Sequence, residues 1–565
     1  MNLFEPLAAC ICEAIPGLAP ADLPFVPAPN LELGDVALRT FEAARKLKVA
    51  PPQLAARIAR EVSFGPEVAS VATAGPYVNF RLHRGLVARR VVAGVLGEGR
   101  RFGSNGTGAG KRVLIEHTSI NPNASPHLGR GRCAMFGDSL TRLLRFEDYD
   151  VEVHYYVNDM GRQIGLLVLV CEGREDLTFD QILELYVQAN ARAEADPAFA
   201  REGYELLARM EEGDSETRAK FRSVVDLCLK GQLAVLARLN VAYDVFDYES
   251  KYVKDARLDA VLDALREKGA LFTDEEQRLV VDLSKIGHTQ EEGRYFVLMR
   301  ANGSSMYGYR DLAYTLDKRE RGADINLMVL GEDHKLYAQQ LALILGAAGH
   351  PAPEAIYYAY ILLTEGKMST RQGKVVLLSE FLDEAARRSA ECVAKQCADI
   401  PAEEQSEIAR KVAVAAIRFA ILRVNPNKNV IFDWESSLSF SGDTGPYIQY
   451  SCARINSILR KHGQEVESAP VEDASLETDA EWALALKLAS FPAVVRNAAE
   501  QRNCAPIAQF ALDAARLFTA FYHACPVLGA ETDALRDARL QLCVATRTAL
   551  ENALNLLGIE ALERM

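Results

Sequence analysis

Three features that mark other protein classes are missing from this sequence. No apolar run approaches the ~20 residues of a membrane-spanning helix. Met1–Leu7 has no basic segment ahead of an apolar stretch, so a secretory signal is not expected. None of the eleven cysteines forms a C-x-x-C pair, which argues against a zinc knuckle and a disulfide framework. We therefore expect a cytoplasmic protein with reduced thiols, no membrane contact and no protein-bound zinc.

An excess of basic charge is also absent. The 77 acidic residues outnumber the 64 basic ones and leave a net charge of -13. This balance argues against a nonspecific nucleic-acid coat, although a local basic face remains possible because phosphate binding depends on the surface presented. The 565 residues are 49% hydrophobic and 25% charged, which predicts a globular protein of about three or four domains.

The run Lys111–Arg132 has the pattern of a strand, a loop and a helix. Val113–Ile115 suits a buried strand, and apolar positions from Cys133 onward follow one helical face. His127 and Gly129 stand where the helix begins, and helix N-termini bind phosphate through free N–H groups and the helix dipole. The alternative interpretation is an ordinary helix start with a solvated histidine.

A β-α-β order surrounds this run, because Val151–Val157 alternates like a second strand. A parallel pair with a right-handed crossover would bind its ligand at the carboxyl ends of the strands, where His127 lies. The charged stretch Leu166–Val241 is interpreted as a helical insertion between two halves of a nucleotide fold, the second half restarting at Leu279. Further strands are predicted at Asp244–Ser250, Leu279–Leu283, Tyr295–Met299, Asn326–Leu330 and Ala355–Leu363.

The last predicted strand leads into Thr364–Lys374, a loop rich in lysine, arginine and glycine. Mobile lysines flanked by glycines can neutralise charge on a leaving phosphate, although a basic loop can also be merely solvated. From Glu380 onward strand signals vanish, which predicts a helical bundle. Between Lys411 and Lys461, seven basic residues stand against three acidic ones. Four aromatic residues are interleaved with them: Phe432, Trp434, Tyr447 and Tyr450. This pattern suits either single-stranded RNA or a bundle core with a solvated basic face.

Two short motifs resemble the signatures of class I aminoacyl-tRNA synthetases. His127-Leu128-Gly129-Arg130 resembles His-Ile-Gly-His, and Lys367-Met368-Ser369-Thr370-Arg371 resembles Lys-Met-Ser-Lys-Ser. The stretches I-E-H-T-S-I-N-P-N, Y-Y-V-N-D-M-G-R-Q-I, Y-G-Y-R-D-L-A-Y and T-G-P-Y-I-Q-Y-S-C-A-R-I resemble the arginyl-tRNA synthetases. The resemblance covers the whole chain.

The resemblance implies a multidomain α/β plus α fold. It has a small N-terminal α/β domain that binds the tRNA elbow (residues 1–105) and a Rossmann-type class I catalytic domain (106–400) with a helical insertion at about 166–243. A C-terminal α-helical bundle (401–565) would bind the anticodon.

The resemblance also implies roles for individual residues. Three sets are expected to carry catalysis, ATP binding and arginine binding. The catalytic set is His127, Gly129, Arg130, Lys367, Ser369 and Arg371. The ATP-binding set is His127, Gly129, Gly331, Asp333, His334 and Met368. The arginine-binding set is Glu116, Asn121, Tyr307, Asp311 and Gln340. Either Asp311 or Glu116 is expected to face the guanidinium, with Asn121 and Gln340 at the other end of the substrate.

The implied reaction has two steps. The arginine carboxylate attacks the α-phosphate of ATP, and the arginyl group then passes to the 3′-terminal adenosine of tRNA(Arg), usually at its 2′-hydroxyl in class I enzymes. ATP is thus a substrate, and Mg²⁺ is expected to bind mostly through the phosphates, with no metal site of the protein's own. We expect the enzyme to act as a monomer with L-arginine, ATP and tRNA(Arg) as its partners.

Two departures from the family pattern leave alternatives open. Arg130 replaces the second signature histidine, and Thr370 replaces the second signature lysine. Many bacterial members of the family that this chain resembles lose the lysine of the second signature and carry a compensating lysine just before the first. Here Asn123-Ala124-Ser125 holds no lysine but Lys367 is retained, so the resemblance implies that Lys367 is the mobile cation. The alternatives are a catalytically weakened tRNA-binding paralogue, suggested by Arg130, and another class I synthetase, such as one for cysteine.

Overall fold

The N-terminal region forms an antiparallel sheet with helices packed against it. The computed structural model describes residues 4–28, 32–174, 176–364, 376–397, 399–467, 469, 471 and 475–565. The first elements are α1 (Glu5–Ala14), β1 (Phe25–Pro27), β2 (Val36–Arg39), α2 (Phe41–Leu47), α3 (Pro51–Glu61), β3 (Val68–Ala74), β4 (Tyr77–Leu82) and α4 (Arg84–Glu98). The strands run in the order β1-β2-β4-β3. Pro51 and Pro52 open α3, where their missing N–H groups cost no hydrogen bond.

The middle of the chain alternates strands and helices. Its elements are β5 (Arg112–Glu116), α5 (Leu128–Phe146), β6 (Asp150–Val157), α6 (Arg162–Cys171), α7 (Phe179–Ala195), α8 (Pro197–Glu212), α9 (Ser215–Ala237), β7 (Val245–Tyr248), α10 (Asp259–Glu267), β8 (Leu271–Thr273), β9 (Leu279–Asp282), β10 (Tyr295–Met299), α11 (Tyr307–Glu320), β11 (Ile325–Gly331), α12 (Lys335–Ala347), β12 (Glu354–Tyr358) and β13 (Ile361–Leu363).

Five parallel strands form the central sheet, in the order β12-β11-β5-β6-β7. The carboxyl ends of β5 and β11 lie side by side, because Glu116 pairs in register with Met328. The four helices α6 to α9 separate β6 from β7, as the insertion prediction requires. The ligand is expected at this carboxyl edge.

The sequence interpretation of β9 and β10 was wrong in one respect. Both strands form, but they pair antiparallel with each other and, together with β8, make a separate three-stranded sheet. They therefore do not restart the parallel sheet, whose second half consists of β11 and β12. Periodicity identifies a strand without identifying its partner, since the same alternation suits any half-buried sheet.

The predicted strand Ala355–Leu363 is also interrupted. It divides into β12 and β13, and β13 pairs in parallel with a strand that the sequence analysis missed, β14 (Val430–Phe432). The break falls at Ala359 and Tyr360, whose carbonyl oxygens both accept hydrogen bonds from a buried arginine. The Tyr360 oxygen also accepts one from the Val430 amide of β14 (2.9 Å).

Helices dominate the rest of the described chain, as predicted. They are α13 (Leu378–Gln396), α14 (Ala402–Leu422), α15 (Trp434–Leu438), α16 (Gly445–His462), α17 (Asp479–Ala489), α18 (Phe491–Glu500), α19 (Ala505–Ala524) and α20 (Asp533–Leu556). Phe432 and Trp434 are buried and pack against the ring of Phe381, so these two aromatics belong to the core and cannot stack on RNA bases. Tyr447 and Tyr450 are only partly buried.

Candidate active site

The loop between β5 and α5 carries the first signature to the carboxyl edge of the sheet. His127 is the N-cap residue of α5, and the neighbouring Leu128 amide donates to the Val376 carbonyl oxygen (3.0 Å). Burial lowers the pKa of His127, and the nearby Arg130 charge lowers it further, while Asp333 opposes the shift. The imidazole is therefore neutral near pH 7 and can donate a hydrogen bond without adding a charge.

The same loop contains a strained turn. Thr118 and Ser119 adopt positive φ angles of 78° and 44°, a conformation that a β-branched residue such as threonine rarely adopts. Several contacts hold Thr118 in place. Its hydroxyl accepts a hydrogen bond from Tyr243 Oη (2.7 Å), and its carbonyl oxygen accepts one from Arg130 Nη1 (3.1 Å). Arg130, the atypical signature residue, thus stabilises the backbone between Glu116 and Asn121.

Arg132 is buried one turn further along α5 and bonds to main-chain carbonyls. It donates to the carbonyl oxygens of Ala359 (2.5 Å), Tyr360 (2.9 Å), Pro426 (3.1 Å) and Lys428 (2.8 Å). Burial lowers its pKa to about 10, which still leaves the guanidinium charged near pH 7. Arg132 therefore fixes the start of β13 and the approach to β14 against the helix that begins at His127.

The second signature lies outside the described residues. This applies to four predicted site residues, Lys367, Met368, Ser369 and Arg371. The described residues on either side are Thr364, which follows β13, and Val376. Leu377 pairs with His127 in an isolated β-bridge, so the chain returns to the first signature immediately after this segment.

The remaining residues predicted to bind ATP lie at the end of β11. Gly331 is buried, and a Cβ atom added there would clash with Asp333 Oδ1, so a larger residue would displace that carboxylate. Asp333 and His334 are 61% and 42% exposed at their side chains. Asp333 lies near enough to His127 for its charge to raise the pKa of that imidazole.

Two predicted arginine-binding carboxylates share a pocket beside this site. Glu116 Oε2 accepts a hydrogen bond from the buried Lys318 Nζ (2.7 Å), and Asp311 Oδ2 accepts one from Tyr337 Oη (2.5 Å). Burial, with smaller contributions from the Glu249 and Glu116 charges, raises the pKa of Asp311 to about 7. Lys318 already neutralises Glu116, whereas Asp311 is paired only with a neutral hydroxyl. An added cation would therefore stabilise Asp311 more than Glu116.

Glu249 is a third acid in this pocket, and the sequence analysis did not select it. It is buried just after β7, and its Oε1 accepts a hydrogen bond from Arg310 Nε (2.5 Å). With the Asn158 amide oriented to donate, Asn158 Nδ2 lies 2.9 Å from Glu249 Oε2. The position of Glu249 at the carboxyl end of a parallel strand was the available signal. We call Glu116, Glu249 and Asp311 the acidic pocket.

The other three predicted arginine-binding residues differ in their exposure and in the contacts they make; they are Tyr307, Gln340 and Asn121. Tyr307 is 55% exposed, and its ring lies 5.2 Å from that of Tyr337. Gln340 is buried, and its amide nitrogen donates one N–H to the Gly293 carbonyl oxygen (2.6 Å), which leaves its second N–H and its oxygen for a substrate. Asn121 is exposed on the loop that Arg130 stabilises.

Tyr156 adds a hydroxyl that the sequence analysis also missed. Its Oη is buried and has no hydrogen-bond partner among the described residues. Burial raises its pKa well above 10, and the nearby charges of Asp311 and Glu249 raise it further, so the hydroxyl adjoins the acidic pocket. A buried hydroxyl without a partner is costly and is satisfied when a ligand supplies one.

Known proteins match the chain from one end to the other. A family described as tRNA synthetases class I (R), catalytic domain, matches residues 91–434. The Arginyl tRNA synthetase N terminal domain matches residues 4–82, and the DALR anticodon binding domain matches residues 448–565. The chain belongs to the arginyl-tRNA synthetases. The family, the fold class and the ligase activity expected from the sequence are therefore confirmed.

Relatives of this arginyl-tRNA synthetase resemble it over nearly their whole length. The arginine–tRNA ligase of Methanothermobacter thermautotrophicus is 38% identical, over 97% of this chain and 96% of the relative. The arginine–tRNA ligase of Methanopyrus kandleri is also 38% identical, over 96% and 94% respectively. The structure of Thermus thermophilus arginyl-tRNA synthetase superposes with a TM-score of 0.81 at 29% identity and covers 99% of both chains.

Two further observations concern metals and membranes. Within the described part of the synthetase, no three histidine, cysteine, aspartate or glutamate side chains converge as a metal site would require. Within the same residues, no helix is long and apolar enough to cross a membrane.

Proposed function

We propose that the acidic pocket binds the guanidinium group of L-arginine and that Asp311 is its principal partner. The observation that carries this proposal is that Asp311, Glu249 and Glu116 lie near one another at low exposure, while among the described residues their ion pairs come from two cations, Arg310 and Lys318. A guanidinium offers five N–H donors and keeps its charge near pH 7. It would therefore satisfy Asp311, and the Tyr156 hydroxyl could accept a further hydrogen bond from it.

The ATP phosphates are proposed to lie at the start of α5, with the adenosine toward β11. The Gly129 amide and the neutral His127 would donate to phosphate oxygens at the positive end of the α5 dipole, and the missing side chain of Gly129 would let the nucleotide approach. Gly331, Asp333 and His334 would line the nucleoside side. Mg²⁺ would be held mainly by the phosphates and would neutralise their charge. Asp333 is an exposed carboxylate that could complete its coordination.

The chemistry then depends on placement. An oxygen of the arginine carboxylate would attack the α-phosphorus, the bond to the bridging oxygen would break, and pyrophosphate would leave with the electron pair. A hydroxyl of the terminal adenosine would next attack the arginyl carbonyl carbon and release AMP. No side-chain nucleophile is required, because in-line positioning and phosphate-directed hydrogen bonds lower both barriers. Asn121 and Gln340 are proposed to hold the amino and carboxylate end of the substrate.

Lys367 is proposed to neutralise the leaving pyrophosphate, with Met368, Ser369 and Arg371 completing the second signature. The proposal rests on the sequence and on the return of Leu377 to His127. Lys367→Ala should lower the rate of arginine-dependent ATP–pyrophosphate exchange by roughly 10²–10³, the usual loss for one transition-state donor. Near-normal exchange in this variant would refute the role of Lys367.

The tRNA is proposed to contact both ends of the chain. In the bundle, Arg454 lies between the rings of Tyr450 (4.6 Å) and Tyr522 (5.1 Å) and lines a cleft of about 650 Å³ with Arg460. Arginine beside exposed aromatics suits the unpaired bases of an anticodon loop.

The other contact is proposed on the N-terminal domain. There, the exposed rings of Phe41 and Tyr77 meet edge to face and could contact the tRNA elbow. We keep the domain limits 1–105, 106–400 and 401–565, the monomeric state and the cytoplasmic location as proposals.

The deciding experiment is ATP–pyrophosphate exchange with each of the twenty amino acids, with and without tRNA(Arg). Of the twenty amino acids, we expect only arginine to support exchange, and we expect that exchange to require tRNA(Arg). Exchange with a different amino acid would overturn the substrate assignment. Tight tRNA binding without any exchange would instead support the weakened paralogue that Arg130 suggested.

A further inference from the structure

A buried glutamine of the helical insertion contacts the loop that carries the first signature. Gln232 lies in α9, and none of its surface is exposed. Its Nε2 atom donates hydrogen bonds to the carbonyl oxygens of Asn121 and Ala124, both at 2.9 Å. These two residues stand in the loop between β5 and α5, more than a hundred positions earlier in the chain. The insertion therefore contacts the main chain of the loop between the two predicted substrate sites.

The amide oxygen of Gln232 is held as well. It accepts a hydrogen bond from Tyr155 Oη (3.0 Å), and the same hydroxyl accepts one from the Ile120 amide (2.9 Å). Tyr155 is a fully buried residue of β6, and burial raises the pKa of its hydroxyl, which therefore stays protonated and able to donate. Gln232 and Tyr155 together hold three main-chain groups of the loop, at Ile120, Asn121 and Ala124.

The loop depends on such contacts because it lies between elements and contains the strained turn at Thr118 and Ser119. Strained backbone persists only where the surrounding contacts determine it, and a main-chain carbonyl that loses its donor inside the protein is costly. One glutamine amide supplies two N–H donors, whereas a methionine of similar length supplies none. The chemistry of residue 232, and not merely its size, therefore sets the shape of the loop.

The insertion can support the loop because α9 is firmly packed at this point. Cys228 and Leu236 of α9 belong to the same buried cluster as Ile120 and Leu128, which lie on either side of the held segment. Interiors packed in this way resist displacement. Apolar packing thus fixes the helix, and the amide of Gln232 transfers the position of the helix to the loop.

We propose that Gln232 is a positioning residue for amino-acid activation, and that with Tyr155 it holds the loop so that Asn121 and His127 meet arginine and ATP in the reactive geometry. Gln232 acts through the main chain of the loop and touches neither substrate. This inference rests on the proposed function, because it assumes that the loop binds both substrates. It gives the helical insertion a part in the activation step itself.

The test measures arginine-dependent ATP–pyrophosphate exchange with saturating tRNA(Arg), for wild type, Gln232→Met, Tyr155→Phe and the double variant. The matched control is Gln541→Met. Gln541 is a buried residue of α20 in the C-terminal bundle, and its Nε2 likewise donates to two main-chain carbonyl oxygens, those of Glu467 (2.7 Å) and Ala469 (2.6 Å). Melting temperatures are measured alongside, and rates are expressed per folded molecule.

We expect Gln232→Met to lower the kcat of exchange about 10- to 100-fold, the range for reacting groups misplaced by up to about 1 Å. The KM values for arginine and ATP should change less than kcat, because positioning acts mainly in the transition state. Tyr155→Phe should lower kcat in the same way but by a smaller factor. The double variant should be little worse than Gln232→Met, since both residues act on one loop.

Gln541→Met should lose comparable stability and keep the wild-type kcat. A wild-type kcat in folded Gln232→Met, an equal loss in Gln541→Met, or effects that simply multiply in the double variant would overturn the inference. Should Gln232→Met fail to fold, the kcat of Tyr155→Phe decides: a lowered value supports the inference and a wild-type value refutes it. If wild type itself shows no exchange with arginine, the proposed function fails instead.

Discussion

Arginine binding should depend on pH through Asp311. Its pKa is raised to about 7, chiefly because the carboxyl group is buried. A bound guanidinium favours the carboxylate, so arginine must displace a proton from the fraction of molecules in which Asp311 is neutral. The apparent affinity for arginine should thus rise about tenfold between pH 6 and pH 8, since that interval spans a pKa near 7. The guanidinium stays charged throughout.

Isothermal titration calorimetry tests this directly. At pH 7, binding should release about half a proton per arginine, measured as the dependence of the heat on the ionisation enthalpy of the buffer. Asp311→Asn should bind more weakly and lose both the pH dependence and the proton release. Glu249→Gln is the matched control, because it removes a neighbouring acid and should leave most of the proton release in place. A flat pH profile in the wild type, or proton release that survives Asp311→Asn, would refute the reasoning.

Three further substitutions test the contacts of α5. Arg132→Met removes the buried donor of four carbonyl oxygens. If two of these oxygens find no other donor, the free energy of unfolding should fall by roughly 2–6 kcal/mol; an unchanged melting temperature would contradict this. Arg130→Ala should lower the pyrophosphate-exchange rate about tenfold, because the strained turn loses a charge-assisted hydrogen bond; Arg130→Lys should recover part of the rate, and normal exchange by the alanine variant would show that the turn holds without it. Arg418→Met should lower the free energy of unfolding by roughly 2–6 kcal/mol, because the buried carbonyl oxygens of Leu239 and Leu557 both lose their donor while Asp138 keeps Arg142; a midpoint of urea unfolding equal to that of the wild type would contradict this.

Local order could be predicted from the sequence, and so could the position of the first signature. Buried parallel strands and amphipathic helices leave short-range patterns, which is why β5, α5 and β6 form where the apolar residues indicate. Partners across the sheet leave no such pattern. The strands β9 and β10 form as expected, but their pairing with β8 depends on long-range packing that alternation does not record.

The acidic pocket shows the same limit at the level of single residues. Asp311 and Glu116 could be selected because recognisable motifs contain them. Glu249 stands in an ordinary-looking stretch after β7, and its contact with Arg310 of α11 becomes visible only when the parallel sheet brings that strand end beside the helix. Phe432 and Trp434 illustrate the reverse error, since aromatics among basic residues suit RNA binding and core packing equally well until burial is known.

The hydrogen bonds around helix α5 show why contacts between distant parts of the chain are hard to predict from the sequence. Arg132 holds the approach to the second signature, while Ser139 Oγ donates to the Leu556 carbonyl oxygen (2.6 Å) of the C-terminal bundle. Arg418 Nε likewise donates to the Leu557 carbonyl oxygen (2.5 Å). All three partners are main-chain carbonyls, which every residue possesses, so the partner positions can change in sequence without losing the contact. The position of α5 relative to the bundle is therefore fixed by hydrogen bonds that have a specific polar side chain as donor and a main-chain carbonyl oxygen as acceptor.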